Sequence, residues 1–302
     1  MSHDAPVGPP PGVGGPPPGV GGPPPGVGDP PAAPVRTSLD PAEQAVAEAM
    51  SAFAERAREQ VLARVAELDG GLQIEERVVD REEARHVVEV TRGPVVEKAG
   101  WYVNEPRTGM PPFVPDPVWG RYVEIDVHPA SPHVGLLHAT VYCSFFTNGT
   151  STMSGYLDYV PAVWHDDDNA RLAASVEEVY ARHGVDISRF RAELGDSDFG
   201  RTHHRERLRA ACVGVSLYSF PMLEATMETL ALAVDGFDAF VGTYFDILAE
   251  RRDDPFGPAD LAEQDAMRRR WLEDQLFADT FSMKVVPYEV WSFANQAPTV
   301  RF

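Results

Sequence analysis

The chain has 302 residues, a formal net charge of −20 and two cysteines. The acidity argues against a nucleic-acid partner, because no basic stripe offsets phosphate, and two cysteines are too few for a disulfide framework. No apolar run reaches membrane-spanning length and no apolar leader-like segment opens the chain, so a soluble, cytoplasmic protein with Cys143 and Cys212 as buried thiols is expected.

Residues 1–38 are low in complexity. GPPPGVG occurs three times, starting at Gly8, Gly15 and Gly22. The spacing is not the three-residue period of collagen. With almost no apolar bulk, this stretch cannot offset the entropy of ordering and reads as a disordered, polyproline-rich tail. The remainder, 39–302, has globular composition and is long enough for one large domain or two small ones.

A first helix is predicted from Asp40, an N-cap, and Pro41, a favoured first residue. Ala45, Ala49, Phe53, Val61, Val65 and Leu68 recur at helical spacing, and Gly70-Gly71 ends it. Leu72–Val79 and Ala84–Val90 alternate as strands, and 94–103 is a further strand region. A Pro-rich loop, 107–119, leads to the most informative stretch, Arg121–Pro161. There Val123, Ile125 and Val127 alternate with Glu124, Asp126 and His128. After a loop, Leu137, Ala139, Val141, Cys143 and Phe145 alternate with His138, Thr140, Tyr142 and Ser144. Period 2 means half-buried strands, and a short connection makes them antiparallel. A third strand, 151–159, follows the Asn148-Gly149 turn. The product is a sheet with an apolar face and a polar face, and His128 and His138 both belong to the polar one.

Asp166, Asp167 and Asp168 open the next helix, where the dipole favours negative charge. Gly184 closes it. A short helix is predicted over 188–194, then GRTHHRERLR, then a strand over 211–220. Residues 222–252 read as helix with a break near Gly236, and 260–267 as helix. Residues 268–283 are ambiguous between helix and strand, and 284–293 read as a final strand. The pattern lacks regular βαβ alternation, so the fold class is α+β: a mainly antiparallel sheet flanked by α-helices on both sides. The motifs of nucleotide, flavin and zinc-hydrolase sites are absent.

From about residue 40 onward the chain resembles the oxygen-dependent coproporphyrinogen III oxidases, in divergent form. The family's VFEKAGVN corresponds to Val95-Val96-Glu97-Lys98-Ala99-Gly100. Its H-P, loop and S-H-A-N-V-R correspond to His128-Pro129, a loop with Pro132, and Leu137-His138-Ala139-Thr140-Val141-Tyr142. Its GGG-x-D-L-T-P is similar to Ser154–Pro161, which carries Asp158. Its K-H-R-x-E resembles Thr202-His203-His204-Arg205-Glu206. Its Y-x-x-I-x-E-R-R resembles Tyr244–Arg252 with one extra residue, and its R-G-R-Y-V-E-F-N-L strand resembles Arg268–Leu276.

The resemblance implies a broad sheet between helices, usually as a homodimer, and tips 268–283 towards strand. It implies oxidative decarboxylation of propionate to vinyl with molecular oxygen as co-substrate and no organic cofactor. Departures stand beside it. The Asn and Arg after the second histidine are Thr140 and Tyr142. The expected Asp pair falls at Ser219 and Phe220, and a further family histidine falls near Ala173. The late G-G-R loop has no counterpart between Asp279 and Met283. Scaffold and histidines are kept while substrate contacts are not, which fits a small-molecule substrate other than coproporphyrinogen.

Three readings follow. In the first, an oxygen-dependent oxidase, His138 is the catalytic general acid/base with His128 beside it, His203 or His204 joins from the neighbouring strand start, and Glu124, Asp126, Thr140, Tyr142 and Asp158 bind substrate. In the second, His128, His138 and His203 or His204, with Asp126 or Glu124 nearby, hold iron or copper. In the third, the chain is a non-catalytic tetrapyrrole-binding or interaction protein.

Overall fold

The computed structural model describes residues 35–109, 114–191, 213–217, 222–273 and 286–299. Among the described residues the main elements, in order, are α1 (Pro41–Asp69), β1 (Ile74–Asp80), β2 (Ala84–Thr91), β3 (Val96–Pro106), β4 (Pro117–Pro129), β5 (Leu136–Phe146), β6 (Ser151–Val160), α2 (Asp166–Arg182), β7 (Val213–Ser216), α3 (Met227–Arg251), α4 (Pro258–Glu273) and α5 (Tyr288–Ala294). The strands form one seven-stranded sheet in sequence order, β1 to β7. Every neighbouring pair is antiparallel. The α+β expectation, an antiparallel sheet with helices on both faces, holds.

Local chemistry sets the first helix. The Asp40 carboxylate accepts from the Ala42 and Glu43 amides, and Glu43 returns a contact to the Asp40 amide, a reciprocal cap on the orphan donors of the first turn. At the far end Gly70, at φ 72°, takes the left-handed conformation that closes the helix. The Asp69 carboxylate then accepts from the Val95 and Val96 amides and ties this helix end to β3.

The apolar face of the sheet carries Val123, Ile125, Val127, Leu137, Ala139, Val141 and Cys143, all buried against α1 and α3. α2 packs on α3. Burial pushes the Cys143 thiol up to about 12, so it stays protonated and inert. Asp168, predicted as a dipole partner, also has a side-chain partner. It is buried against Arg251 of α3, which reaches Asp167 as well.

The polar face is covered too, by α4 and α5, and here two expectations change. Residues 268–273, tipped towards strand, are the end of α4. The buried residues Gln264, Met267, Arg268 and Trp271 recur at helical spacing, but two are polar and hide the period. They are buried because they bind backbone carbonyls: Gln264 donates to Pro129 and Ala130, and Arg268 to Pro129. Of the strand predicted over 284–293, residues 288–293 instead belong to the helix α5, and 284–285 lie outside the described residues. Val290, Trp291, Phe293 and Ala294 are its buried residues, one stripe of a helix and not one face of a strand. Pro287 immediately before it removes a ladder donor and pre-sets a helix entry. The break predicted near Gly236 does not occur, since α3 runs unbroken from its Thr226 cap to Arg251. Of the helix predicted over 188–194, residues 188–191 are helical and the rest lies outside the described residues. The strand predicted over 211–220 is observed over Val213–Ser216.

Candidate functional site

The β4–β5 register places Asp126 directly opposite His138 and Glu124 opposite Thr140. The β5–β6 register places Asp158 opposite His138 on the other side. Directly paired residues share a face. Three carboxyl groups and one imidazole therefore meet on the polar face, across three adjacent strands. The His138 Nε2 lies 3.5 Å from Glu124 Oε1, and its Nδ1 lies 3.8 Å from Asp158 Oδ2.

The place is dry. Glu124 is 4% exposed, Asp126 0% and His138 8%. The Trp271 ring of α4 stands 5.1 Å from the His138 ring. Trp271 packs with Met267, Leu136 and Val160 as an apolar fence at that end. Burial pushes the Asp126 carboxyl well above its usual range, with Glu124 adding to the rise and His138 opposing it. For His138, burial works downward, but Asp126, Asp158 and Glu124 outweigh it and lift the imidazole well above its ordinary value. The cluster is thus a place where protons are held.

His128 lies on the same face but meets different partners. Its Nε2 donates to the Asn295 carbonyl just beyond α5, at 3.1 Å. It is 1% exposed, and burial followed by the fields of Lys98 and Arg268 holds its imidazole well below the usual value. His128 is thus a neutral residue turned to the C-terminal segment. Among the described residues one group has metal-ligand proximity, with a donor atom each from Glu124, Asp126 and His138 within 4.8 Å of one another. It includes His138 and not His128. His203 and His204 lie outside the described residues, as do Cys212, Ser219, Phe220 and the stretch between Asp279 and Met283.

Of the other residues expected to bind substrate, Thr140 makes a structural contact: its hydroxyl accepts from the Tyr156 amide at 2.8 Å. Tyr142 lies further along the same face, its ring 6.4 Å from that of Tyr122, and burial raises its phenol.

Three residues of the site escaped the sequence reading. Asn295 donates its Nδ2 to Glu124 Oε1. Trp271 roofs His138. Lys98 pairs with His128 across β3–β4, is 1% exposed, and donates to the Gln296 carbonyl at 2.6 Å. Burial pulls its ammonium down to about 7, against the pull of Asp126. A lysine inside an alternating strand was the available signal for the last.

The coproporphyrinogen III oxidase family model matches residues 49–284. The chain belongs to that family. A search of curated proteins returned no match. The matched span of this oxidase-family chain runs from α1 past α4, and so contains every residue of the carboxyl–imidazole cluster. Membership supports a role in oxidase or decarboxylase chemistry related to porphyrins. No helix among the described residues is long and apolar enough to cross a membrane.

Proposed function

We propose that this chain is an oxygen-dependent oxidase that converts a propionate side chain to a vinyl group, on a substrate other than coproporphyrinogen III. One observation carries the reading. The imidazole at the centre of the polar face is ringed by Glu124, Asp126 and Asp158. A ligand bearing four carboxylates would meet like charge there, and like charge in a low-dielectric site is costly. A smaller, less acidic substrate would not.

The reaction balances as propionate plus oxygen plus one proton, giving the vinyl product, carbon dioxide and hydrogen peroxide. Two electrons and one carbon-bound hydrogen leave the side chain, and oxygen takes up both electrons. An electron-rich heteroaromatic ring can itself react with oxygen. The protein's work is then to position it, exclude water and move protons. His138 Nδ1, facing Asp158, is the edge proposed to carry the proton. Trp271 and the fence around it keep solvent out.

The family resemblance also carries a homodimer. The edge strand β1 supports that association, because Ile74 and Val78 are exposed on it and its outer ladder groups have no neighbouring strand among the described residues. Light scattering on the full chain tests it.

The substrate proposal is tested by incubating anaerobically prepared coproporphyrinogen III with the protein in air and measuring divinyl product. Little or no turnover is expected. Turnover like that of an authentic oxidase, abolished by His138→Ala, would refute the changed substrate. A panel of pyrrole and indole propionates, followed by peroxide and carbon dioxide release, tests the reaction class. Equal release with at least one member is expected, and none with any would end the oxidase reading.

A further inference from the structure

The polar face has a basic end as well as an acidic one. Lys98 on β3 and His128 on β4 are directly paired, so their side chains leave the sheet on the same side. Arg268 of α4 reaches the same corner. Its guanidinium binds the carbonyl of Pro129, the residue after His128, and its charge acts on His128 together with that of Lys98. All three side chains are buried.

These donors are poorly matched to what they meet. Buried charges are normally paired with opposite charge, because an isolated one is costly to keep. Among the described residues Lys98 has no carboxylate at ion-pair distance, and its Nζ donates to the Gln296 carbonyl. His128 Nε2 donates to the carbonyl of the preceding residue, Asn295. Arg268 gives a terminal nitrogen to Glu97 and Pro129, while its buried Nε meets no acceptor among the described residues. Two neutral carbonyl oxygens of consecutive peptide groups therefore occupy donors that a carboxylate would bind more strongly, since charge-assisted hydrogen bonds are the stronger kind. Burial pulls the Lys98 ammonium down to about 7, and a bound carboxylate would restore it.

We propose that Lys98, His128 and Arg268 form the subsite for the single carboxylate of this chain's substrate, a heteroaromatic monoacid, and that the Asn295 and Gln296 carbonyls fill it until the substrate displaces them. The identity of the ligand rests on the oxidase reading; the place rests on the donor set. Asp126 is directly paired with His138. From His128 to Asp126 is about 7 Å along β4, and from Asp126 to His138 is one strand spacing of about 4.8 Å. The subsite is then about 8 Å from the imidazole that carries the proton. A three-carbon acid side chain and its ring span that gap, which sets the carbon that must lose hydrogen near His138. The face sorts charge in this way: its basic end takes one carboxylate, and Glu124 and Asp158 at the other end disfavour a second.

The test is equilibrium dialysis of the full chain, without oxygen, against 3-(pyrrol-2-yl)propionate and indole-3-propionate, each beside its uncharged amide. Wild type should bind at least one acid, and bind it about tenfold or more tightly than its amide. Lys98→Met should weaken that acid about 10- to 100-fold, the loss of one hydrogen bond to a charged group, and leave the amide unchanged. Asn295→Ala, which loosens the segment that fills the subsite, should tighten the acid; an unchanged affinity would show that the two carbonyls do not compete for it. Circular dichroism confirms folding, and should Lys98→Met fail to fold, Arg268→Gln takes its place with the same expected loss. No acid bound by folded wild type would overturn the proposal. So would an acid preference that survives removal of the basic group. Nothing is turned over in these measurements, so the subsite can stand where the oxidase reading fails. Turnover indifferent to Lys98 and Arg268 would remove the subsite and leave the oxidase reading in place.

Discussion

Asn295 is the clamp between the C-terminal segment and the site, and its replacement is calculable. Its Nδ2 donates to Glu124, its carbonyl accepts from His128, and it is 4% exposed. Asn295→Ala keeps the backbone contact and removes the side-chain donor. A lost hydrogen bond to a buried charged group costs about 1.5–3 kcal/mol, and relief of the unpartnered Asn295 Oδ1 returns up to about 1 kcal/mol. The net loss is then about 0.5–2 kcal/mol. At roughly 2 °C per kcal/mol for a domain of this size, Tm should fall about 1–4 °C. Asn295→Asp is harsher, because it sets an acceptor against an acceptor. An uncompensated buried charge costs about 3–5 kcal/mol. The introduced carboxyl would have a raised folded pKa, so its penalty should grow as pH rises and shrink in acid, where it can donate. Calorimetry of both variants between mildly acidic and mildly basic pH measures this. An Asn295→Ala protein within a degree of wild type, with Asn295→Asp no worse, would show that the clamp is not formed.

Gly100 faces α5 so closely that an added Cβ would stand 2.5 Å from the Ala294 carbonyl; Gly100→Ala should cost about 1–3 kcal/mol through overpacking and increase proteolysis after residue 286, and an unchanged digest would contradict the packing. His86, hydrogen-bonded to the Tyr102 hydroxyl, has its pKa lowered, chiefly by burial and then by Arg81. Its unfolded form takes up a proton first, so the stability it contributes is full above about pH 6.5 and is lost as pH falls through the lower folded value. His86→Phe should flatten that acid-side slope in Tm, and an unaltered slope would assign it elsewhere. Removal of residues 1–34, on their composition, should leave Tm unchanged; the cut spares Arg36, whose guanidinium binds Glu43 and the Phe146 carbonyl. A fall of several degrees would refute the disordered-tail reading.

The sheet and its polar face were legible because alternation is a local signal. Val123, Ile125 and Val127 announce one side, and the residues between them the other, with no long-range information needed. The same parity put Glu124, Asp126 and His138 together. The two covering helices were not legible, for a physical reason. α4 buries Gln264 and Arg268, whose burial is stabilised by carbonyls of the β4 end, so hydropathy records no stripe. α5 is short, and Tyr288, Val290, Trp291 and Phe293 have the composition of a strand. The different fates of the two histidines were hidden as well. His128 and His138 have the same parity, but the carbonyl that takes His128 lies 167 residues away.

That separation has a consequence for how the protein comes to be made. A meander of sequential hairpins can pair as it leaves the ribosome, each strand finding the one synthesised just before it. Residues 286–299 arrive long after the hairpins they cover. Until then Lys98, His128 and Glu124 lack their partners and the carboxyl cluster lies open to solvent. The nascent chain thus passes through a stage with a finished sheet and an unroofed cluster. Arrival of α5 then closes that face, so burial of the cluster is among the late steps of folding.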